Sequence, residues 1–184
     1  SCAGKSLLLS NLRAARPEIQ PLESVTTRAR RASDTNPGEY LFVDDREFDA
    51  LDASGQFLWV VHPHGLPYRY GTRKKIVADA LARGLYAPIL VLSAIEQLYE
   101  YAGQNGLRDG VRPIYLRISD EDELRRRFRE RGDENAAEIE RRVLNSRMEN
   151  LHAERVPGMR VIDASLPPER VLAEALAHVR LLQQ

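Results

Sequence analysis

The tripeptide Gly4-Lys5-Ser6 lies close to the start of the chain and leads directly into an apolar run of leucines. With Ala3 it matches the end of the pattern G-x-x-x-x-G-K-[ST], a loop whose backbone N–H groups bind phosphates. In that loop the lysine reaches the outer phosphates of a nucleotide, and the serine hydroxyl binds Mg²⁺. Ala3, Gly4, Lys5 and Ser6 are therefore candidate phosphate ligands, and Ser6 is also the candidate metal ligand. The first glycine of the pattern would lie before Ser1, so we expect it upstream, after an apolar strand.

Basic side chains recur in two further parts of the chain. One cluster spans Thr26–Arg31 and is followed by Tyr40, and the other spans Arg125–Arg131, with Arg141 and Arg142 one predicted helix later. Each cluster taken singly is also typical of a solvated surface. Transfer of a phosphoryl group between two anionic substrates needs cations on several sides. The combination of both clusters with the loop therefore favours phosphate chemistry.

Length and composition limit the class of protein. The chain has 184 residues, which fits one domain with a substantial core. Lys and Arg together number 27, as do Asp and Glu, so no net charge indicates a nucleic acid or a membrane as partner. One cysteine excludes an internal disulfide, and no apolar run approaches the roughly 18 residues of a membrane span. We therefore expect a cytoplasmic protein.

The first part of the chain is predicted to alternate short elements. Apolar residues at helical spacing predict a helix over Lys5–Arg16, directly after the loop. Asp44 or Asp45 is predicted to cap a short helix that Gly55 ends. Three short strands and a turn-rich stretch complete this part: Leu22–Arg28, Tyr40–Val43, Phe57–Val61 and His62–Tyr70. We interpret residues 24–70 as a small subdomain inserted into a single domain over residues 1–184.

The remainder of the chain alternates strands and longer helices. Thr72 is predicted to cap a helix through Arg83, and the apolar run Ala87–Leu92 predicts a strand buried on both faces. The other predicted elements are a helix over Ile95–Tyr101, a strand over Ile114–Ile118, a helix capped by Ser119-Asp120 and ending at Arg131, a helix over Asn135–His152, a strand over Arg160–Ile162 and a helix over Pro167–Leu182. This alternation predicts an α/β fold in which helices cover both faces of a parallel sheet, in three layers.

The motifs and their order resemble the guanylate kinase family over nearly the whole chain. The matching blocks are Ser24–Arg31, Gly38–Val43, Glu47-Phe48, Gly55–Leu58, Tyr70–Thr72, and Arg127–Gly132 with Ile139 and Arg142. The resemblance implies a P-loop kinase with a helical lid over residues 131–136. It also implies transfer of the γ-phosphoryl group of Mg-ATP to a small phosphate-bearing acceptor, which is GMP by family default. The protein would act as a monomer or homodimer.

The resemblance also implies a role for each matched residue. Gly4, Lys5 and Ser6 would bind the ATP phosphates and magnesium, and Ser24 would contact the base of the acceptor. The grip on the acceptor's phosphate would consist of Arg28, Arg31, Tyr40 and Tyr70. The catalytic cations would be Lys5, Arg127, Arg131 and Arg142.

Three positions on the acceptor side depart from the family pattern. After Phe57-Leu58 the family has a glutamate that accepts hydrogen bonds from guanine, whereas this chain has Trp59, whose indole N–H only donates. Two aspartates of the family are replaced by Val91 and Ser93. Trp59 is compatible with stacking on an acceptor ring or with a place in the core. We keep Trp59 and Ser93 as candidate acceptor-side residues.

These departures leave two alternatives open. One is a ribose 1,5-bisphosphate phosphokinase with a sugar-phosphate acceptor, which His64-Gly65-Leu66 and the segment Arg131–Ile139 resemble. Against it, Thr26–Arg31 and Tyr40 look more like those of nucleotide kinases. The other is a related binding module that has lost catalysis, and Lys5 argues against that one because pure binding does not require it.

Overall fold

The structure is a computed structural model that describes residues 3–30, 34, 38–62, 67–131 and 135–180. The described residues form a mixed α/β fold with seven α-helices and six strands. They belong to two compact units. One, which we call the terminal unit, combines Ser1–Ala15 with Val111–Gln184, and the other, the middle unit, is Arg16–Gly110. Among the described residues, no helix has both the length and the apolar character needed to cross a bilayer.

The bounds of the elements are as follows. The helices are α1 (Lys5–Ala15), α2 (Asp45–Ala53), α3 (Lys74–Arg83), α4 (Leu92–Gln104), α5 (Glu121–Arg131), α6 (Ala136–Ala153) and α7 (Pro168–Arg180). The strands are β1 (Ser24–Thr26), β2 (Tyr40–Phe42), β3 (Phe57–Val61), β4 (Tyr70–Arg73), β5 (Ile114–Arg117) and β6 (Arg160–Asp163).

The terminal unit is built on a pair of parallel strands. Strands β5 and β6 pair in register from Ile114 opposite Arg160 to Arg117 opposite Asp163. Helix α7 packs against α1 and β6, and α5 packs against α6. Ile162 is fully buried and Phe128 is 1% exposed, and burial of a side chain of this size contributes about 1.5–3 kcal/mol. The predicted strands and the helices around them are confirmed in this unit.

The middle unit contains a four-stranded sheet in the order β2-β1-β4-β3. Strand β1 pairs with β2 in parallel, while β4 is antiparallel to both β1 and β3. This sheet is therefore mixed, and it is built from the short strands of residues 24–73, for most of which no direction of pairing was predicted. The three-layer arrangement and the boundaries of the 24–70 subdomain stay predictions.

Strand β4 was missed, and with it the start of the next helix. Thr72 does not cap a helix, as expected, but lies inside β4 and is 1% exposed. Helix α3 begins two residues later, after Arg73, whose side chain makes no capping hydrogen bond. Four residues that include Gly71 carry little strand signal of their own, and this strand is defined by its pairing with β1 and β3.

The apolar segment Ala87–Leu92 is not the buried strand that was predicted. Tyr86 forms a single parallel bridge with Gln20, and the backbone N–H of Ala87 donates to the Gln20 carbonyl at 3.2 Å. Pairing goes no further, residues 87–91 are half-buried, and α4 already begins at Leu92. An apolar run reports burial, but a strand also needs a partner along its length.

The predicted helix caps are confirmed where the signal was a local side chain. Asp44 accepts from the backbone N–H of Glu47 at 2.7 Å, and the Glu47 carboxylate accepts from the backbone N–H of Asp44, which completes a capping box. Asp120 accepts from the N–H of Asp122 at 2.8 Å. A cap that was not predicted is Asn135, which begins α6 by accepting from the N–H of Glu138 at 2.9 Å.

Candidate functional site

The segment Ala3–Ser6 lies at the N-terminus of α1, as predicted. Gly4 has a φ of 79°, and a Cβ there would meet no atom within 4 Å, so the backbone conformation rather than space requires glycine. The Gly4 carbonyl accepts from the N–H of Leu8 at 2.9 Å, which joins the loop to the helix. Lys5 and Ser6 are exposed. Unpaired N–H groups and the helix dipole at this end favour an anion.

Arg127 is held from two sides within the terminal unit. Its Nε donates to the Glu123 carboxylate at 2.7 Å, and its Nη2 donates to the backbone carbonyl of Ala164 at 3.1 Å. Glu123 lies one turn earlier on α5, and Ala164 directly follows β6. The side chain is 26% exposed, so its position is defined by contacts from both a helix and the end of a strand.

Arg142 is held in a similar way on the next helix. Its Nε donates to Glu138 at 3.1 Å, one turn earlier on α6, and its guanidinium carbon lies 5.6 Å from the centroid of the Phe128 ring. Phe128 belongs to α5 and is 1% exposed, so the ring is a fixed surface. Arg131 ends α5, but its side chain lies outside the described residues, as do residues 132–134 of the predicted lid.

The two glutamates that hold these arginines have pKa values below the usual value of a glutamate. Hydrogen bonds from Arg126 first, and then from Arg127, lower the pKa of Glu123 to about 2. Hydrogen bonds from Arg141 and Arg142 lower the pKa of Glu138 below its usual value. Both carboxylates are therefore charged at neutral pH, and the ion pairs are fully formed.

In the middle unit, Arg28 lies at the centre of a buried cluster. Its Nη1 and Nη2 donate to the two carboxylate oxygens of Asp34 at 2.9 and 3.0 Å, and Nε donates to the Tyr70 hydroxyl at 3.0 Å. Nη1 also donates to the Ala29 carbonyl at 2.9 Å. The Arg28 side chain is 6% exposed and that of Asp34 is 11% exposed. The hydrogen bond from Arg28 to Asp34 is the main reason that the pKa of Arg28 is raised.

Aromatic rings form the rest of this cluster. The guanidinium carbon of Arg28 lies 5.4 Å from the centroid of the Tyr40 ring and 5.5 Å from that of Phe42. The Tyr40 and Tyr70 rings are 6.1 Å apart. Burial is the main cause that raises the pKa of Tyr40 to about 12. Three of the four residues predicted to grip a phosphate are thus brought together, and the fourth, Arg31, lies outside the described residues.

Two threonine hydroxyls at the end of β1 form the hydrogen bonds that position Arg28 and Tyr70. The Thr26 hydroxyl donates to the Arg69 carbonyl at 2.8 Å and accepts from the Arg28 N–H at 3.1 Å. The Thr27 hydroxyl accepts from the Arg69 N–H at 3.0 Å. Thr26 is fully buried. These bonds tie the end of β1 to the start of β4, which brings Arg28 and Tyr70 to the same place.

Ser24, the residue predicted to contact the base, has a hydrogen-bond partner within the sheet. Ser24 Oγ lies 3.4 Å from Thr72 Oγ1, across β1 and β4. A hydroxyl can both donate and accept, so the buried Thr72 hydroxyl can orient that of Ser24, which is only partly buried and is suited to contact a polar ring edge. The sequence prediction gave Thr72 a capping role instead. The signal that would have found it is its place in the Tyr70–Thr72 block.

Trp59 lies on β3 opposite Thr72 of β4, and Ser93 lies on α4. Trp59 is 3% exposed and packs in a core with Leu22, Val77 and Ala94, so the structure supports the core interpretation and not stacking on an acceptor. Ser93 lies exposed in the first turn of α4 rather than at the end of a strand. Among the described residues, no hydrogen bond joins Ser93 to the cluster around Arg28.

Comparison with known proteins gives a consistent result. The family model described as guanylate kinase matches residues 1–162. The chain is 35% identical over 181 residues to a guanylate kinase of Streptomyces kasugaensis, covering 96% of this chain and 82% of that protein. It is 35% identical over 170 residues to one of Thermobifida fusca, covering 90% and 81%. The crystal structure of guanylate kinase from Anaplasma phagocytophilum is similar in fold, with a TM-score of 0.64 at 23% identity, over 94% of this chain and 81% of that one.

Proposed function

The chain belongs to the guanylate kinase family, and we propose that it transfers the γ-phosphoryl group of Mg-ATP to the phosphate of GMP. The observation that carries the proposal is the buried cluster in which Arg28, Tyr40 and Tyr70 are already assembled. The Arg28 fork is bound to the Asp34 carboxylate in the structure, and we propose that the acceptor's phosphate takes the place of that carboxylate. A guanidinium fixed between aromatic rings and a phenol is suited to such a dianion.

The ATP side of the proposed reaction uses the start of α1. Gly4 has the backbone conformation that turns N–H groups towards a phosphate, and Lys5 and Ser6 are exposed beside it. The Ser6 hydroxyl is a hard oxygen ligand, which fits Mg²⁺, and the ion would neutralise charge on the ATP phosphates. We propose that Lys5 binds the outer phosphates and that Ala3 and Gly4 contribute backbone donors.

The transferred group needs further cations, because its three equatorial oxygens carry most of the charge in the transition state. We propose that Arg127, Arg131 and Arg142 provide them together with Lys5. Arg127 and Arg142 are both held through Nε by glutamates of their own helices. We further propose that residues 131–136 close over the reactants and exclude water, which would otherwise hydrolyse ATP.

The acceptor side is proposed to bind its phosphate through Arg28, Arg31, Tyr40 and Tyr70. The Tyr70 hydroxyl accepts from Arg28 Nε, which leaves its own proton available for a phosphate oxygen. We propose that Ser24, which is only partly buried, contacts the base rather than the buried Trp59, and that the buried hydroxyl of Thr72 orients the Ser24 hydroxyl.

A coupled assay of ADP release with GMP, AMP and ribose 1,5-bisphosphate tests the proposal. We expect turnover of GMP in preference to the other two. Preferred turnover of ribose 1,5-bisphosphate would instead support the sugar-phosphate alternative, and absence of turnover with every acceptor would contradict the proposed activity.

Lys5→Met should reduce kcat by roughly 100-fold or more, as loss of a transition-state cation or donor typically does. The matched control is Lys75→Met, which removes a lysine that is 82% exposed and pairs only locally with Asp79 on α3. Its kcat should stay within about twofold of wild type, since an exposed pair of this kind contributes under about 1 kcal/mol. Equal losses in both variants would contradict the role of Lys5.

A further inference from the structure

The same arrangement of one glutamate and two successive arginines occurs on two neighbouring helices. On α5, Glu123 Oε1 accepts from Arg127 Nε at 2.7 Å and from Arg126 Nη2 at 2.8 Å. Its other oxygen, Oε2, accepts from Arg126 Nε at 2.8 Å, so on this helix both arginines are held through Nε and they differ in exposure and in their further contacts. The two arginines follow the glutamate at three and four residues, so both reach it on one face of the helix.

The second example is on α6. Glu138 binds Arg141 Nη2 through Oε2 at 2.7 Å and Arg142 Nε through Oε1 at 3.1 Å, again at three and four residues. Its backbone N–H donates to the capping Asn135, so Glu138 is the third residue of α6. Its carboxylate is therefore held close to the ordered start of a helix.

In each group, the arginine three residues after the glutamate is more exposed than the arginine four residues after it. Arg126 and Arg141, at three residues, are 56% and 55% exposed. Arg127 and Arg142, at four residues, are 26% and 20% exposed. Within the described part of the chain, only the less exposed arginines also contact another element, Arg127 at the Ala164 carbonyl and Arg142 at the Phe128 ring. These less exposed arginines are also the two that the proposed function places at the transferred phosphate.

A hydrogen bond at Nε constrains a guanidinium more than one at a terminal nitrogen. Nε is bonded directly to the aliphatic stem, so an acceptor there limits rotation about the last side-chain bonds and orients the plane of the fork. Holding a reacting cation in advance removes reorganisation from the transition state. On α6, one carboxylate and two guanidiniums still leave these three side chains with a net positive charge.

We propose that Glu138 and Glu123 are positioning residues, which orient Arg142 and Arg127 through their Nε atoms for stabilisation of the transferred phosphoryl group. The outer arginines, Arg141 and Arg126, hold each carboxylate from its other side. This inference rests on the proposed function for the role of the oriented arginines, but the orientation itself does not depend on it.

The opposing interpretation is that these are ordinary helix ion pairs. Pairs at this spacing stabilise a helix by about 0.2–0.5 kcal/mol and have no consequence for a reaction. The two interpretations predict different changes in kcat for Glu138→Gln. That substitution increases the local positive charge, so a simple field effect would maintain or raise kcat, whereas loss of orientation lowers it.

Steady-state kinetics of Glu138→Gln test the proposal. We expect kcat to fall about tenfold, because misplacement of a catalytic group by about an ångström costs up to roughly 100-fold. The KM for GMP should stay within about twofold, since no acceptor contact is assigned to Arg142. The stability of the variant should stay close to that of wild type, since the lost charge is a partly exposed one near a helix terminus.

The matched control is Glu140→Gln, two residues further along α6. Glu140 also pairs with an arginine, Arg125, through 2.8 and 3.0 Å bonds, but that arginine has no proposed role in the reaction. Its kcat should remain within about twofold of wild type, as expected for an exposed ion pair. Unchanged kcat in Glu138→Gln, or an equal loss in both variants, would overturn the proposal.

A spectroscopic measurement separates this inference from the proposed activity. The ¹H–¹⁵N signal of Arg142 Nε can be assigned by its loss in Arg142→Lys. It should shift and exchange faster with solvent in Glu138→Gln but not in Glu140→Gln. An unchanged signal in Glu138→Gln would refute the orientation even in an active kinase. If wild type turns over no acceptor, the proposed function fails, and this signal still decides whether Glu138 holds Arg142.

Discussion

Arg28 of the middle unit and the ion-paired arginines of α5 and α6 in the terminal unit are held in opposite ways. In the middle unit, Arg28 is 6% exposed and its guanidinium is bound by Asp34, by Tyr70 and by rings from β2. In the terminal unit, the described arginines of α5 and α6 are 20–59% exposed and pair mainly within one turn of their own helix or with the adjacent helix. The first arrangement depends on the folded sheet, whereas much of the second is already encoded in each helix.

This difference has an energetic consequence. An exposed ion pair contributes about 0–1 kcal/mol, because water screens it and ordering long side chains costs entropy. Removing one member of a buried pair is far more costly, because its partner is left charged and without water. Arg28 should therefore determine stability as well as binding, whereas Arg127 and Arg142 should matter mainly for catalysis.

Arg28→Met should produce the largest effect and test the contrast directly. It leaves Asp34 buried without its bidentate partner, so we expect the free energy of unfolding to fall by about 3–5 kcal/mol. Urea denaturation measures it. Arg126→Met is the matched control on α5, and it should cost under about 1 kcal/mol, since that arginine is 56% exposed. Similar losses in both variants would remove the distinction between the units.

Gly71→Ala should have the next largest effect and tests how tightly the middle sheet is packed. A Cβ at Gly71 would lie 2.8 Å from atoms of the Phe57 ring, which is 7% exposed in a core cluster with Val25 and Phe48. We expect a loss of about 1–3 kcal/mol from overpacking, measured by urea denaturation.

The control for that prediction is Gly103→Ala in α4. A Cβ there meets no atom within 4 Å, and alanine is favoured over glycine in a helix by about 1 kcal/mol. This variant should therefore be neutral or more stable than wild type. A Gly71→Ala protein as stable as wild type would show that the Phe57 ring moves aside at no cost.

The smallest expected effect is the pH dependence of the exposed network around Glu123. The pKa of this carboxyl is about 2 in the folded protein and 4.5 as an isolated group, so its stabilisation is present above pH 4.5 and is lost as pH falls towards 2. Glu123→Gln should therefore lower Tm slightly at pH 7 and leave it unchanged at pH 2. A constant difference in Tm across this pH range would contradict the ion-pair origin of the effect.

The helices were predicted largely correctly because their signals are local. The leucines that α1 buries recur at helical spacing, and Asp44 and Asp120 cap α2 and α5 as expected. The carboxylate partners of the helical arginines were not predicted as part of the site. Their spacing of four residues from Arg127 and Arg142 was nevertheless visible in the sequence.

The acceptor-side cluster was predicted only in part. The motif residues Arg28, Tyr40 and Tyr70 were identified through the family resemblance, and the structure brings them together. Asp34 was not predicted, because no local spacing rule connects a loop aspartate to an arginine six residues earlier. Trp59 was kept as an acceptor-side candidate because the pattern of a strand does not show whether other side chains will bury a given residue.

The sequence by itself determined the helices, their caps and the family, because periodicity, capping and motif order are properties of neighbouring residues. Only the tertiary structure decided that β4 is a strand, that Ala87–Leu92 is not, and that Asp34 binds Arg28. Each of these depends on a partner that lies elsewhere in the chain or in an irregular loop. Hydrogen bonds between strands and the desolvation of a buried ion pair arise only when the chain has folded, so no local pattern encodes them.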